Sequence, residues 1–155
     1  MQEDSDTVKT SRIPFDSYIM RVCHVVASRA TCRHREQGAV IVHNKRILST
    51  GYNGAPPGAK DCLEYGYCAK EENLPCRAEG LHAESNAIVT AAREGIRVEG
   101  STLYCIFSPC LSCCNIIKTA GIIEVIYLHT YPYFEEGPGY LELLGVKVRQ
   151  LEEKW

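Results

Sequence analysis

Residues 81–86 read Leu-His-Ala-Glu-Ser-Asn, and residues 108–114 read Ser-Pro-Cys-Leu-Ser-Cys-Cys. Together they supply an imidazole at His82, thiols at Cys110 and Cys113, and a carboxylate at Glu84. One nitrogen and two sulfur donors suit a single Zn²⁺. Three protein ligands leave the fourth tetrahedral position for water, which separates a catalytic site from a closed structural one. Such an ion acidifies its water towards neutral pH, and a neighbouring carboxylate can move the protons. Cys110 and Cys113 stand three apart and so share a helix face. Pro109 suits the start of that helix, where a missing N–H costs nothing. The partial positive charge of a helix N-terminus favours thiolate over thiol. His82 and Glu84 open another helix, expected to run to about Arg93 with Ala87, Ile88, Ala91 and Ala92 as its buried stripe. Two helix ends then point at one metal. Each half alone has plainer readings: a lone histidine is usually just polar, and Cys-x-x-Cys also serves as half of a structural Cys₄ site or as a redox pair. The two halves at this spacing favour the catalytic reading.

The rest of the chain is read outward from this pair. With 155 residues there is room for one domain with a real core. Residues 1–12 are expected to be a disordered polar tail, and residues 13–155 a single domain. A net charge of −2 provides no excess of basic residues for a nucleic-acid backbone. No apolar run approaches a membrane span, and the acidic start is no secretory signal, so a cytoplasmic protein is expected. Nine cysteines without a leader point to metal binding rather than disulfides. Cys23 and Cys105 sit among apolar residues and read as core. Cys114 is off the i, i+3 spacing and does not read as a ligand.

Before the histidine, Asp16 to about Arg29 reads as a helix begun at Pro14. Gly38–His43 and Arg46–Thr50 read as a hairpin turned at Asn44-Lys45. Gly51 to Gly58 has loop chemistry, with Gly51 and Gly54 as turn glycines needing positive φ. Lys60 to Gly80 is a long irregular segment carrying Cys62, Cys68 and Cys76, and a loop so long needs an explanation. Ser101–Phe107 is nearly all apolar, as a strand covered on both faces would be. A helix from Cys110 to Ala120 follows, with Cys113, Ile116, Ile117 and Ala120 on one face and a stop at Gly121. Ile122–Leu128 reads as a strand, Glu136–Leu144 as holding a short helix, and Val146–Leu151 as a last strand. This order predicts a three-layer α/β/α domain on a five-stranded mixed sheet, with the site at strand-to-helix junctions.

With these elements in place, the chain resembles the zinc-dependent cytidine and deoxycytidylate deaminase superfamily, and within it the deoxycytidylate (dCMP) deaminases. The resemblance rests on Arg-Ala-Thr-Cys (29–32), Gly-Ala-Val-Ile-Val (38–42), Arg-Ile-Leu-Ser-Thr-Gly-Tyr-Asn-Gly (46–54), His-Ala-Glu-Ser-Asn-Ala-Ile (82–88), Ser-Pro-Cys-Leu-Ser-Cys (108–113) and Ala-Gly-Ile-Ile-Glu-Val-Ile-Tyr (120–127). His-x-Glu followed by Pro-Cys-x-x-Cys is the signature of zinc nucleobase deaminases, in which the glutamate is not a ligand. The resemblance implies a cytidine-deaminase-like fold and hydrolysis of dCMP to dUMP and ammonia by zinc-bound hydroxide, supplying dUMP for dTMP synthesis. It implies Glu84 as the proton carrier and Asn53, Tyr131 and the backbones of Ala83 and Ser108 as substrate contacts. Arg93 matches a position near the substrate phosphate at a subunit contact, or is simply a solvated helix C-terminus. Arg29, Arg33 and Arg35 are the other phosphate candidates. A homohexamer, with dCTP as activator and dTTP as inhibitor, is the implied regulated form; no nucleic-acid or membrane partner is implied. Some relatives bind a second, structural zinc, for which Cys32, Cys62, Cys68 and Cys76 are candidates, with His34 or Glu79 replacing one of them, or a partial site or free thiols instead. Two kinds of rival function remain: a tRNA adenosine deaminase or another cytosine nucleotide deaminase of the same chemistry, and a non-catalytic zinc protein. Against the second stands Glu84, a carboxylate for which a structural site has no use.

Overall fold

Two residues fix the register of the hairpin. Asn44 and Lys45, at φ 48° and 61°, turn strand β1 (Gly38–His43) into strand β2 (Arg46–Tyr52), the two-positive-φ loop whose twist matches that of paired strands. The computed structural model that shows this describes residues 11–68, 80–132 and 135–152. The first ten residues of the expected tail, and Cys76 and Glu79, lie outside the described residues. β2 runs on through Tyr52, so Gly51 and Tyr52 belong to a strand and not to the expected loop.

Strand β3 (Thr102–Phe107) lies at the centre of the sheet, antiparallel to β1 and parallel to β4 (Glu124–His129), which is parallel to β5 (Lys147–Gln150). The order β2-β1-β3-β4-β5 is the mixed five-stranded sheet expected. Strand side chains alternate between faces. Val40, Val42, Tyr104, Ile106, Ile126 and Leu128 pack on helix α1 (Phe15–Ala27) together with Ile19, Met20 and Cys23. Ala39, Ile41, Leu103, Cys105, Val125 and Tyr127 face the other way, against helices α3 (Ala83–Arg93), α4 (Leu111–Thr119) and α5 (Gly137–Leu143). One helix below and three above make the three layers. Among the described residues, no helix is long and apolar enough to cross a membrane.

The structure departs from the expected elements in further places. A one-turn helix, α2 (Cys62–Tyr65), stands in the segment read as irregular, capped by Asp61 and Glu64 and stopped by left-handed Gly66. Ala92 is exposed, because the α3 stripe on the sheet is Ala83, Glu84, Ala87, Ile88 and Ala91. Ile116 is likewise exposed, and Cys114 takes its place on the buried face of α4 with Cys113 and Ile117. β4 begins at Glu124, since Ile122 is still part of the turn after Gly121.

Candidate active site

Helix α3 carries half of the site, and Gly51 lets it lie directly on β2. A Cβ at Gly51 would stand 2.3 Å from both the Ala83 oxygen and the Ala87 nitrogen. The Ser49 hydroxyl donates to the Ala87 carbonyl (2.8 Å) and the Asn86 amide to the Tyr52 carbonyl (2.8 Å), tying the helix along the strand. Gly51 does not have positive φ; its lack of a side chain serves close approach, not a turn. Gly54 is likewise not a positive-φ turn: it forms a bridge with Leu81, directly before His82, and a Cβ there would stand 2.4 Å from the Thr31 hydroxyl. His82 is the N-cap of α3, and Glu84 points inward from its first turn.

The other half follows β3. Ser108 donates from its backbone to the His129 carbonyl (2.8 Å), and its hydroxyl accepts from the Tyr131 N–H (2.8 Å). Cys110 is then the N-cap of α4, and Cys113 lies one turn in. Both helix starts meet at one point, as expected. His82 Nδ1 lies 3.3 Å from the Cys110 sulfur and 3.4 Å from the Cys113 sulfur. With metal–sulfur bonds of about 2.3 Å and metal–nitrogen bonds of about 2.0 Å, tetrahedral zinc asks for a nitrogen–sulfur edge of about 3.5 Å. The donor set therefore fits zinc in chemistry and in spacing, and among the described residues it is the group of three such donors that gathers. A hydrogen bond from Cys113, joined by ones from His82 and Ser112, pushes the Cys110 thiol down to about 3 despite burial. The same bond and burial push Cys113 up. Both sulfurs bind a metal as thiolates, so loading the site releases protons. Cys114 is no ligand: its thiol, pushed up to about 12 by burial, donates to the Pro109 and Gly137 carbonyls.

Glu84 is buried at 3% exposure. Burial is the main cause that raises its carboxyl above the ordinary range, and the opposing pull of backbone N–H, His82 and Gln37 is weaker. Its Oε2 lies 3.8 Å from the Cys113 sulfur, so the carboxylate stands beside the metal donors. Its Oε1 faces the amide of Gln37 at 3.5 Å. Sequence reading missed Gln37; the one signal was a polar residue placed immediately before an apolar strand.

The remaining expected residues fall into three groups. Ala83 stands between His82 and Glu84 on α3, and Ser108, two residues before Cys110, is tied to Tyr131 through its hydroxyl. Asn53 braces the loop before β1: its Oδ1 accepts from the Gln37 N–H (2.8 Å) and its Nδ2 donates to the Arg35 carbonyl (2.8 Å). Arg35 stacks over Phe107 (4.5 Å) and Tyr131 (4.7 Å), and its Nη1 is buried without a hydrogen-bond partner. Arg29 and Arg33 are exposed. Arg93 pairs with Glu94 at the far end of α3, roughly 16.5 Å along the axis from His82 at 1.5 Å per residue. Of the second cysteine set, Cys62 and Cys68 are buried and Cys32 half-buried. His34 is exposed.

Such a site has a narrow use. Three donors for one metal stand next to a buried carboxylate, which is the equipment of the zinc-dependent nucleobase deaminases. A family model, the cytidine and deoxycytidylate deaminase zinc-binding region, matches residues 14–129. The chain is 36% identical over 144 residues to ComE operon protein 2 of Bacillus subtilis, covering 91% of this chain and 73% of that protein. It is 39% identical over 145 residues to the deoxycytidylate deaminase of Saccharomyces cerevisiae, covering 90% of this chain but 45% of the yeast enzyme. The dCMP deaminase of cyanophage S-TIM5, solved with dCMP and dUMP, superposes with a TM-score of 0.79 at 31% identity, covering 91% of this chain and 100% of that one. This chain belongs to the cytidine and deoxycytidylate deaminase family.

Proposed function

We propose that this protein hydrolyses dCMP to dUMP and ammonia. The observation that carries the reading is the buried Glu84 carboxylate beside three zinc donors, supported by the likeness to a phage enzyme solved with dCMP and dUMP. His82, Cys110 and Cys113 would hold the zinc, which when bound lowers the pKa of a water to about 7 and so supplies a nucleophile. Glu84 takes the proton that this water loses and delivers it to N3 of the cytosine. It then carries the second proton to the leaving amine as the C4–N bond breaks and the new C4–O bond becomes the uracil carbonyl. Its raised pKa suits a group that must both accept and release protons near neutral pH.

The Ser108 carbonyl and the Ala83 backbone hold the base, Tyr131 lines the pocket, and the Nδ2 hydrogen that Asn53 leaves unused reaches the nucleotide. For the phosphate, Arg35 has the strongest support of the four candidate arginines: a stacked guanidinium with a buried, unpartnered nitrogen is a cation lacking an anion. Arg35→Gln should raise KM for dCMP about 10- to 100-fold and leave KM for deoxycytidine unchanged. Equal changes for both substrates would remove Arg35 from this role. Arg93 serves the site of a neighbouring subunit, in a homohexamer that dCTP activates and dTTP inhibits. Cys32, Cys62 and Cys68 do not gather into a three-donor group in this structure, so the expected second zinc on them gives way to a partial site or free thiols. Ammonia release from a panel of cytosine nucleotides and a tRNA anticodon stem-loop, with and without dCTP and dTTP, tests the reading. Turnover of the stem-loop and not of dCMP would overturn it.

A further inference from the structure

The β1–β3 ladder pairs Ala39 with Cys105, so two residues further along the register Gln37 stands opposite Phe107. The Gln37 backbone does not complete that ladder. Its N–H goes to the Asn53 side chain (2.8 Å) and its carbonyl accepts from the Asn53 N–H (3.2 Å). The Gln37 side chain closes the gap instead. Nε2 donates to the Phe107 carbonyl (3.0 Å), and Oε1 accepts from the Phe107 N–H (3.1 Å). Phe107 offers one donor and one acceptor, so only one orientation of the amide satisfies both. A flipped amide would set two acceptors together at one end and two donors at the other. The second Nε2 hydrogen must then face away from Phe107, and there it meets Glu84 Oε1 at 3.5 Å.

From this geometry we propose that Gln37 is a positioning residue for Glu84. It orients the carboxylate so that Oε1 is held by the strand-end amide and Oε2 is turned to the metal donors. The inference rests on the deaminase reading above. The amide itself is buried and pinned from both ends by backbone, so it is a fixed reference and not a mobile partner. A contact of 3.5 Å is long for a hydrogen bond, as catalytic contacts often are before substrate tightens them. A carboxylate with no such anchor would sample rotamers in which neither oxygen faces the substrate, and misplacement on that scale is costly to the proton-transfer step.

The test is a double-mutant cycle on the zinc-loaded protein. Gln37→Met removes the donor and keeps the length. It should lower kcat for dCMP about 10- to 100-fold, the range for a hydrogen bond to a charged group, with KM unchanged. In a Glu84→Gln background it should cause no further loss, because the group it orients no longer carries protons. Gln37→Glu, which keeps an acceptor for the Phe107 N–H, serves if the methionine variant does not fold, and should lower kcat in the same way. Undiminished kcat in a folded variant, or a loss that simply adds to that of Glu84→Gln, would overturn the proposal while leaving the deaminase reading intact. No turnover of any cytosine nucleotide by the unaltered protein would overturn both.

Discussion

At the scale of single residues, the chemistry separates into groups that bind and one group that works. Glu84→Gln keeps the shape and removes the proton carrier. It should lower turnover about 10²- to 10⁴-fold. Zinc content should stay unchanged, since Glu84 is not among the donors, and thermal stability should not fall, since the substitution removes a carboxylate that burial disfavours. Ammonia release, metal analysis and a melting curve on one preparation check all three, and a variant that loses its zinc would mean that Glu84 is a ligand. His82, Glu84, Cys110 and Cys113 were legible because their chemistry is written in residue type, and two short spacings bring them together at helix starts. Gln37 and Arg35 had no such signature. Their roles arise from partners 47 and 70 residues away, or from two rings, and only the sheet register creates those contacts.

At the scale of elements, the site depends on how closely α3 lies on β2. Gly51→Ala would drive a Cβ into the Ala83 oxygen and the Ala87 nitrogen, both backbone atoms that cannot swing aside. The helix must lift, at a cost of about 1–3 kcal/mol. Because His82 and Glu84 ride on that helix, turnover should fall with the melting temperature. Gly139→Ala in α5 is the control, since nothing lies within 4 Å of its Cβ position and its φ is not positive. It should leave turnover unchanged and raise stability by about 0.5–1 kcal/mol. A Gly51→Ala protein that melts and turns over like the unaltered one would show that α3 has slack on the strand. The strands were legible as apolar runs bounded by turn residues, and α4 as spacing plus Gly121. The reason for Gly51 was not, because a glycine spared for close packing reads like a glycine needed for a turn. The turn of helix at Cys62–Tyr65 was writable from Asp61 and Glu64, a capping box obscured by the cysteines around it.

At the scale of the molecule, the layering and the mixed five-stranded sheet could be read from element order alone, but the strand order and the contact that joins the beginning of the fold to its end could not. Asp16 on α1 and Arg149 on β5 are 133 residues apart, and no local pattern announces that they meet at 3.0 Å. Arg149 also reaches Glu124 (2.8 Å), Lys147 joins Glu124 (3.0 Å), and the Tyr104 hydroxyl donates to Asp16 (2.7 Å). Burial works to raise the Glu124 carboxyl, but hydrogen bonds from Arg149 and Lys147 outweigh it and hold the group below its ordinary value. Folding therefore favours its charged form. That stabilisation is complete above the ordinary carboxylate range and is lost as pH falls through the depressed native value. Tyr104 runs the other way. Burial first, and then the bond to Asp16, raise its phenol, so its contribution is complete below pH 10 and fades as pH climbs beyond. Arg149→Met should cost about 1 kcal/mol at neutral pH, the scale of a partly exposed ion-pair network, and should flatten the acid limb of stability against pH. Tyr104→Phe should flatten the alkaline limb and leave the acid limb as it was. Urea melts from pH 3 to 11 resolve the two effects. An Arg149→Met protein whose acid limb runs parallel to that of the unaltered chain would mean that Glu124 and Lys147 alone hold this edge of the sheet.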